Sequence, residues 1–241
     1  MGIRIGFACT SAALALAACQ ASQMQFEPAL TAAPARPAPP PVRAAATLEG
    51  QEAQQIEALF AEAQRVLLLP AFARNLAVVA QEVDDLRVAP WGRRIAGEDL
   101  ARLVQGGQPG FSYVAVPVRW LSGGTSTIGW DRALDAISIR LAPEVRTHWR
   151  SADARVRSCA VNSAAHELTH TITRTPPVLD YTIADRGFSF ARHFGQHFAS
   201  YTVGAVAQCT WLEEQGLLVE GLAACVRTYG TNRFRTDDCE Q

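Results

Sequence analysis

The stretch HELTH at residues 166–170 lies in a run of small and apolar residues over 159–174, which predicts a half-buried helix. Side chains four residues apart lie on one face of a helix, with Cβ atoms about 6 Å apart. The imidazoles of His166 and His170 can therefore bind one metal ion. Glu167 follows the first imidazole and can take a proton from a water molecule that such an ion activates. The stretch predicts a catalytic metal site on a helix.

This pattern resembles the active-site helix of the zincin metalloproteases. The resemblance covers the helix, the strands before it and a helix after it. It implies that His166 and His170 are ligands of Zn²⁺, that Glu167 is the catalytic base, and that the substrate is a peptide or protein. The fold it implies is a zincin-like α+β fold, in which a small sheet precedes the active-site helix and further helices lie N- and C-terminal.

A catalytic zinc site needs a third protein ligand, and the sequence leaves its identity open. Asp185, in the segment TIAD, resembles the third ligand of aspzincins such as deuterolysins and is the favoured prediction. Glu220, in the segment EGLA, resembles the third ligand of gluzincins. His193 and His197 form a second pair of imidazoles four residues apart, and either is chemically acceptable as a ligand. The residues that follow His170 lack the Gly and His of the metzincin pattern, which excludes that subfamily.

Peptide hydrolysis builds negative charge on the carbonyl oxygen, so a hydrogen-bond donor is expected near the metal. Tyr201 and Tyr181 are the candidates, since a phenol can donate to that oxygen. The small residues Ala199, Gly204 and Ala205 predict that a later helix packs closely against the helix of His166.

Hydrophobic periodicity and turn residues divide the chain into helices, then strands, then helices. Helices are predicted over 49–69, 71–86, 98–104, 159–174, 188–214 and 217–229, and strands over 113–120, 126–130 and 136–141.

The N-terminus resembles the signal peptide of a bacterial lipoprotein. Its uncharged stretch is shorter than the roughly 20 residues that span a bilayer, and it ends in the lipobox-like LAAC at 16–19. The resemblance implies a signal peptide over 1–18, a lipidated Cys19 as membrane anchor, and a location in the cell envelope on the periplasmic face of the outer membrane. Residues 19–47, rich in Ala and Pro, predict an extended tether, and 48–241 predict one domain.

Composition limits the function classes. Lys and Arg total 22 against 23 Asp and Glu, which disfavours nucleic-acid binding through a basic surface, and 49% hydrophobic residues exclude general disorder. Four cysteines remain in the predicted domain, and an even number in an exported protein predicts two disulfides with three possible pairings. The pairing expected here is Cys225 with Cys239 and Cys159 with Cys209.

Together these features predict a lipid-anchored, zinc-dependent metallohydrolase that acts as a peptidase. A cell-wall amidase would use the same zinc chemistry on a different substrate. The alternative from another class is a non-catalytic envelope lipoprotein, whose zincin-like scaffold binds a metal or a partner protein.

Overall fold

Helices dominate the first part of the chain, strands the middle and helices the remainder, as the sequence predicts. The computed structural model describes residues 41–83, 86–87, 94–105, 112–117, 126–131, 133, 135–171, 183, 197–231 and 239. Over these residues the elements are β1 (Val42–Ala44), α1 (Gly50–Leu68), α2 (Pro70–Glu82), β2 (Leu86–Arg87), α3 (Gly97–Gln105), β3 (Ser112–Pro117), β4 (Ser126–Asp131), β5 (Ala136–Leu141), α4 (Pro143–Arg150), α5 (Ala154–His170), β6 (His197–Phe198), α6 (Ala199–Glu214) and α7 (Leu222–Thr231). They form an α+β fold, which confirms the α+β part of the predicted fold class.

Four strands form one sheet in the order β1-β3-β5-β4. Strands β1, β3 and β5 are parallel, whereas β4 runs antiparallel to β5 at the edge. Residues 136–139 of β5 are all buried, as expected for a parallel strand that is covered on both faces. Strand β5 leads through α4 into α5, so the sheet positions the helix that carries HELTH.

Strand β1 lies in the segment that the sequence assigned to the tether. Its three residues pair in register with residues 113–115 of β3, and Val42 is buried. The folded domain therefore includes residues 42–44. A strand this short depends on its partner for its hydrogen bonds, so an Ala- and Pro-rich composition does not reveal it.

Helix α5 is the central helix of the fold. The side chain of Asp153 caps its N-terminus by accepting a hydrogen bond from the backbone N–H of Arg155 at 2.8 Å. Residues 158–170 are buried without a break, because α1, α4 and α6 surround the helix. The predicted helix is confirmed over 159–170, and the structure begins it five residues earlier, at Ala154, and ends it at His170. Residues 172–174 of the predicted range lie outside the described residues.

Helix α6 runs antiparallel to α5 and touches it closely. A Cβ atom built on Gly204 would lie 2.3 Å from Oδ1 of Asn162, a distance that no side chain tolerates. The predicted close approach at Gly204 is confirmed. The predicted single helix over 188–214 is wrong at residues 197–198, which form β6 and pair with β2 before α6 begins at Ala199; residues 188–196 lie outside the described residues.

The two disulfides are confirmed, but the predicted pairing is wrong. The bonds join Cys159 to Cys239 and Cys209 to Cys225. Helix α7 packs on α6, so Cys209 meets α7 rather than α5. The chain reverses between these helices through Gly216 and Gly221, both at positive φ.

Helix α4 is an addition to the predicted elements. It starts with Pro143 at its first turn, a favoured position for proline, and buries only Val145 of its eight residues. Its eight residues are mostly polar, with Val145 and Trp149 as the large apolar side chains, which are too few to mark a helix in the sequence. Within the described residues, no single helix is long and apolar enough to cross a membrane, and only the α1–α2 pair, bent by 66°, meets that test by length and composition.

Candidate metal site

The two histidines of HELTH converge at the C-terminal end of α5. His166 is 1% exposed and His170 is 6% exposed. Their rings cross at 83° with centroids 4.8 Å apart, and their Nε2 atoms are 3.1 Å apart. The helix therefore brings the two imidazoles together as the sequence predicts.

The separation of the two Nε2 atoms fits a shared zinc ion. Zinc binds histidine nitrogen at about 2.0–2.1 Å in tetrahedral geometry, so two nitrogens on one ion are about 3.3–3.4 Å apart. The observed 3.1 Å differs from this by only a few tenths of an ångström. Without an ion between them, two nitrogen atoms at this distance share one proton in a hydrogen bond.

A backbone carbonyl determines which nitrogen of His170 carries its proton. Nδ1 of His170 lies 3.1 Å from the carbonyl oxygen of Ile183. A carbonyl only accepts, so Nδ1–H donates and, in the neutral ring, Nε2 keeps a lone pair. Metal-binding histidines are usually held in this way. His170 thus presents Nε2 as a ligand atom.

Glu167 completes a compact group with the two imidazoles. Its carboxylate is 1% exposed, and its Oε1 lies 3.9 Å from Nε2 of His166. Potential ligand atoms of His166, Glu167 and His170 all lie within 4.8 Å of one another. At this distance the carboxylate can exchange a proton with a water molecule held between these groups.

Tyr201, in the first turn of α6, packs against the first histidine. Its ring centroid lies 4.7 Å from that of His166, with the planes at 76°. Edge-to-face packing of this kind restricts the orientation of the imidazole. The structure therefore places Tyr201 beside the predicted site.

The other predicted residues are placed differently. Asp185, His193 and Tyr181 lie outside the described residues, as does the side chain of His197. Glu220 is exposed and follows the C-terminal end of α6. Tyr201, which packs against His166, lies in the first turn of α6, and among the described residues the group of potential ligand atoms consists of His166, Glu167 and His170. The structure therefore does not bring Glu220 to the imidazoles.

Polar residues on the same face of α5 were missed by the sequence reasoning. Ser158, Asn162, His166 and His170 recur every four residues in a helix whose surroundings are apolar, and we call them the polar stripe. Gln208 of α6 bonds to two of them. The four-residue spacing of polar residues in a buried helix was the signal that could have revealed them.

Comparison with protein-family models, curated proteins and solved structures finds no match to this chain.

Proposed function

We propose that this protein is a zinc-dependent peptidase of the zincin type. The observation that carries the proposal is the 3.1 Å separation of the Nε2 atoms of His166 and His170, with the Glu167 carboxylate beside them. Zinc prefers nitrogen ligands at this spacing, and a neighbouring carboxylate is the group needed to activate water.

The residues divide the chemistry among them. Zinc held by His166 and His170 would supply Lewis-acid polarisation of the scissile carbonyl and a lower pKa for water. Glu167 accepts a proton from the attacking water at its carboxylate and then delivers it to the leaving amine. Tyr201 donates its phenol hydrogen to the carbonyl oxygen as negative charge develops there.

We propose Asp185 as the third ligand. Its predecessor Ile183 is buried and bonds to His170 through its carbonyl, so the chain returns to the site two residues before Asp185. Two residues of chain span at most about 7 Å, which limits how far Asp185 can lie from the carbonyl that His170 contacts. His193 and His197 remain alternatives. The zinc affinities of variants at these three positions will show which residue is the ligand.

The position of β4 at the edge of the described sheet supports a peptide as the substrate. Strand β4 pairs with β5 on one side, and no described strand pairs with its other side. It also contacts α5. A free edge strand offers N–H and C=O groups to an extended peptide, which would then lie alongside the helix that carries Glu167.

We further propose that the protein is anchored in the cell envelope. The lipobox-like LAAC at 16–19 and the Ala- and Pro-rich segment after it support a lipidated Cys19 that tethers the domain to the membrane. The substrates would then be peptides or proteins of the envelope.

The test compares wild-type protein with the Glu167→Gln variant. Zinc content and turnover of a quenched peptide library are measured for both proteins. We expect both to bind zinc, and we expect the variant to lose about 10²- to 10⁴-fold in turnover, since it keeps the side-chain shape but not the base. Equal turnover would exclude the proposed mechanism, and zinc binding without turnover in the wild type would favour a non-catalytic metal-binding lipoprotein.

A further inference from the structure

The polar stripe of α5 faces α6 in a defined register. Gln208 bonds to Ser158 and Asn162, Gly204 touches Asn162, and the ring of Tyr201 touches His166. Residue numbers increase along α5 while those of their contacts on α6 decrease, as expected for two antiparallel helices. The stripe therefore forms one buried interface that leads from Ser158 to the candidate metal site.

The direction of the hydrogen bonds in this interface is determined from one end. The hydroxyl of Ser158 donates to the carbonyl oxygen of Arg155 at 2.5 Å, because a carbonyl cannot donate. The Ser158 oxygen then accepts from Nε2 of Gln208 at 2.8 Å, which turns Oε1 of Gln208 towards Asn162. Nδ2 of Asn162 donates to that oxygen at 2.7 Å.

This sequence of bonds leaves Oδ1 of Asn162 as an unused acceptor. Asn162 is 2% exposed, and its Oδ1 is buried without a hydrogen-bond partner. Buried polar atoms seldom lack a hydrogen bond, because burial removes their bonds to water and an unsatisfied atom is not compensated for that loss. The atom is therefore available for a ligand or a neighbouring donor.

Oδ1 of Asn162 lies next to the turn of α5 that carries His166. Asn162 precedes His166 by four residues, on the same face. Helical side chains lean towards the N-terminus, so the His166 ring inclines over the turn that contains Asn162. Oδ1 lies 2.3 Å from the position that a Cβ atom on Gly204 would take, so it faces the interface with α6.

We propose that Asn162 is a positioning residue that accepts the Nδ1–H of His166 when His166 binds zinc. This inference rests on the proposed function. A neutral imidazole that binds zinc through Nε2 carries its proton on Nδ1, and this proton needs an acceptor. Oδ1 of Asn162 accepts it directly once the ring turns towards it, or through one buried water molecule.

The two zinc ligands would then be held in the same way. His170 donates its Nδ1–H to the carbonyl oxygen of Ile183, and His166 donates its Nδ1–H to the amide oxygen of Asn162. Asn162 donates from Nδ2 to Gln208, and Gln208 in turn donates to Ser158, so the amide oxygen is the atom of Asn162 that is left to accept. Groups behind a metal ligand commonly determine its ring orientation and its basicity.

Three variants separate positioning from packing. Asn162→Leu keeps the volume but removes the acceptor. Asn162→Asp keeps an acceptor oxygen and removes the donor to Gln208, and Gln208→Met removes the same inter-helix bond while Oδ1 of Asn162 remains. If Asn162 only ties the helices together, all three variants should lose zinc affinity alike. If Asn162 positions His166, only the Asn162→Leu variant should lose zinc affinity.

The experiment measures Zn²⁺ affinity by competition with a chromophoric chelator, in folded full-length protein. We expect Asn162→Leu to weaken binding about 10- to 100-fold, and Asn162→Asp and Gln208→Met to stay close to wild type. NMR of ¹⁵N-labelled histidine rings should show a His166 Nδ1 proton that exchanges slowly in zinc-loaded wild type and Asn162→Asp. The same proton should exchange rapidly in Asn162→Leu.

Unchanged affinity in Asn162→Leu overturns the inference, as does an equal loss in all three variants. A wild-type protein that does not bind zinc overturns both the inference and the proposed function. A wild type that binds zinc but cleaves no peptide overturns the peptidase proposal alone. The Zn²⁺ affinities of the three variants then decide the role of Asn162.

Discussion

The imidazole of His170 donates its Nδ1–H to the carbonyl oxygen of Ile183 across 3.1 Å, and both residues are buried. This bond leaves Nε2 of His170 with a lone pair, 3.1 Å from Nε2 of His166. We predict that His170 is the Nδ1–H tautomer even when zinc has been removed. In that state the proton between the two Nε2 atoms must belong to His166. The ¹⁵N chemical shifts of the two rings in chelator-treated protein measure this directly, and an Nε2–H tautomer of His170 would contradict it.

The contact between α5 and α6 predicts that Gly204→Ala destabilises the protein. The added methyl group would lie 2.3 Å from Oδ1 of Asn162, so the helices must separate or the amide must move. We expect a loss of about 1–3 kcal/mol in the free energy of unfolding, as for other overpacked cores. Urea denaturation of the variant and the wild type provides the measurement.

A second substitution tests the cause of that loss. Asn162→Ser removes the amide oxygen that the methyl group meets, so Gly204→Ala should cost less in the Asn162→Ser background than in the wild type. Costs that simply add in the double variant would show that the two positions do not interact.

The disulfides predict a definite peptide map. Non-reducing digestion should yield one peptide pair containing Cys159 and Cys239 and another containing Cys209 and Cys225. Loop-closure entropy assigns about 4.5 kcal/mol to the first bond, which spans 80 residues, and about 3 kcal/mol to the second, which spans 16. Replacing both cysteines of a pair by serine should therefore lower the free energy of unfolding more for Cys159 and Cys239 than for Cys209 and Cys225. A peptide that links Cys159 to Cys209 would contradict the map.

His148 predicts a loss of stability in mild acid. Burial lowers the pKa of His148 below its ordinary value of 6.5, against a hydrogen bond with the backbone of Cys239 and the charge of Glu144, which both raise it. Below 6.5 the unfolded chain binds the proton before the folded protein does, so stability falls as the pH decreases through this window. Urea midpoints between about pH 7.5 and about pH 5 measure the slope.

The variant His148→Gln is the control for this slope. Glutamine keeps hydrogen-bonding capacity but does not titrate, so the decrease in midpoint with falling pH should be smaller than in the wild type. An identical pH profile in the variant would assign the acid sensitivity to other groups.

The residues that the sequence could place are those whose positions follow from local spacing. His166, Glu167 and His170 lie on one helix, so a four-residue interval is enough to bring them together. Strand β5 and helix α1 could be predicted equally well, because their hydrophobic patterns are local.

The features that escaped prediction depend on partners far away in the chain. Strand β1 needs β3, the pairing of Cys209 depends on how α7 packs, and Asn162 acquires its role only through the register of α6. Glu220 failed as a ligand candidate for the same reason, since the direction of α6 carries it away from the imidazoles. Such relationships have no signature within a short window of sequence.

The claim that both imidazoles bind one zinc ion is tested most directly by zinc K-edge X-ray absorption of the full-length protein loaded with one equivalent of Zn²⁺. We expect nitrogen and oxygen ligands at about 2.0–2.1 Å and the outer-shell signal of at least two imidazole rings. His166→Ala and His170→Ala should each remove one ring from this signal or abolish binding. A zinc spectrum without imidazole scattering, or one that neither substitution alters, would contradict the claim.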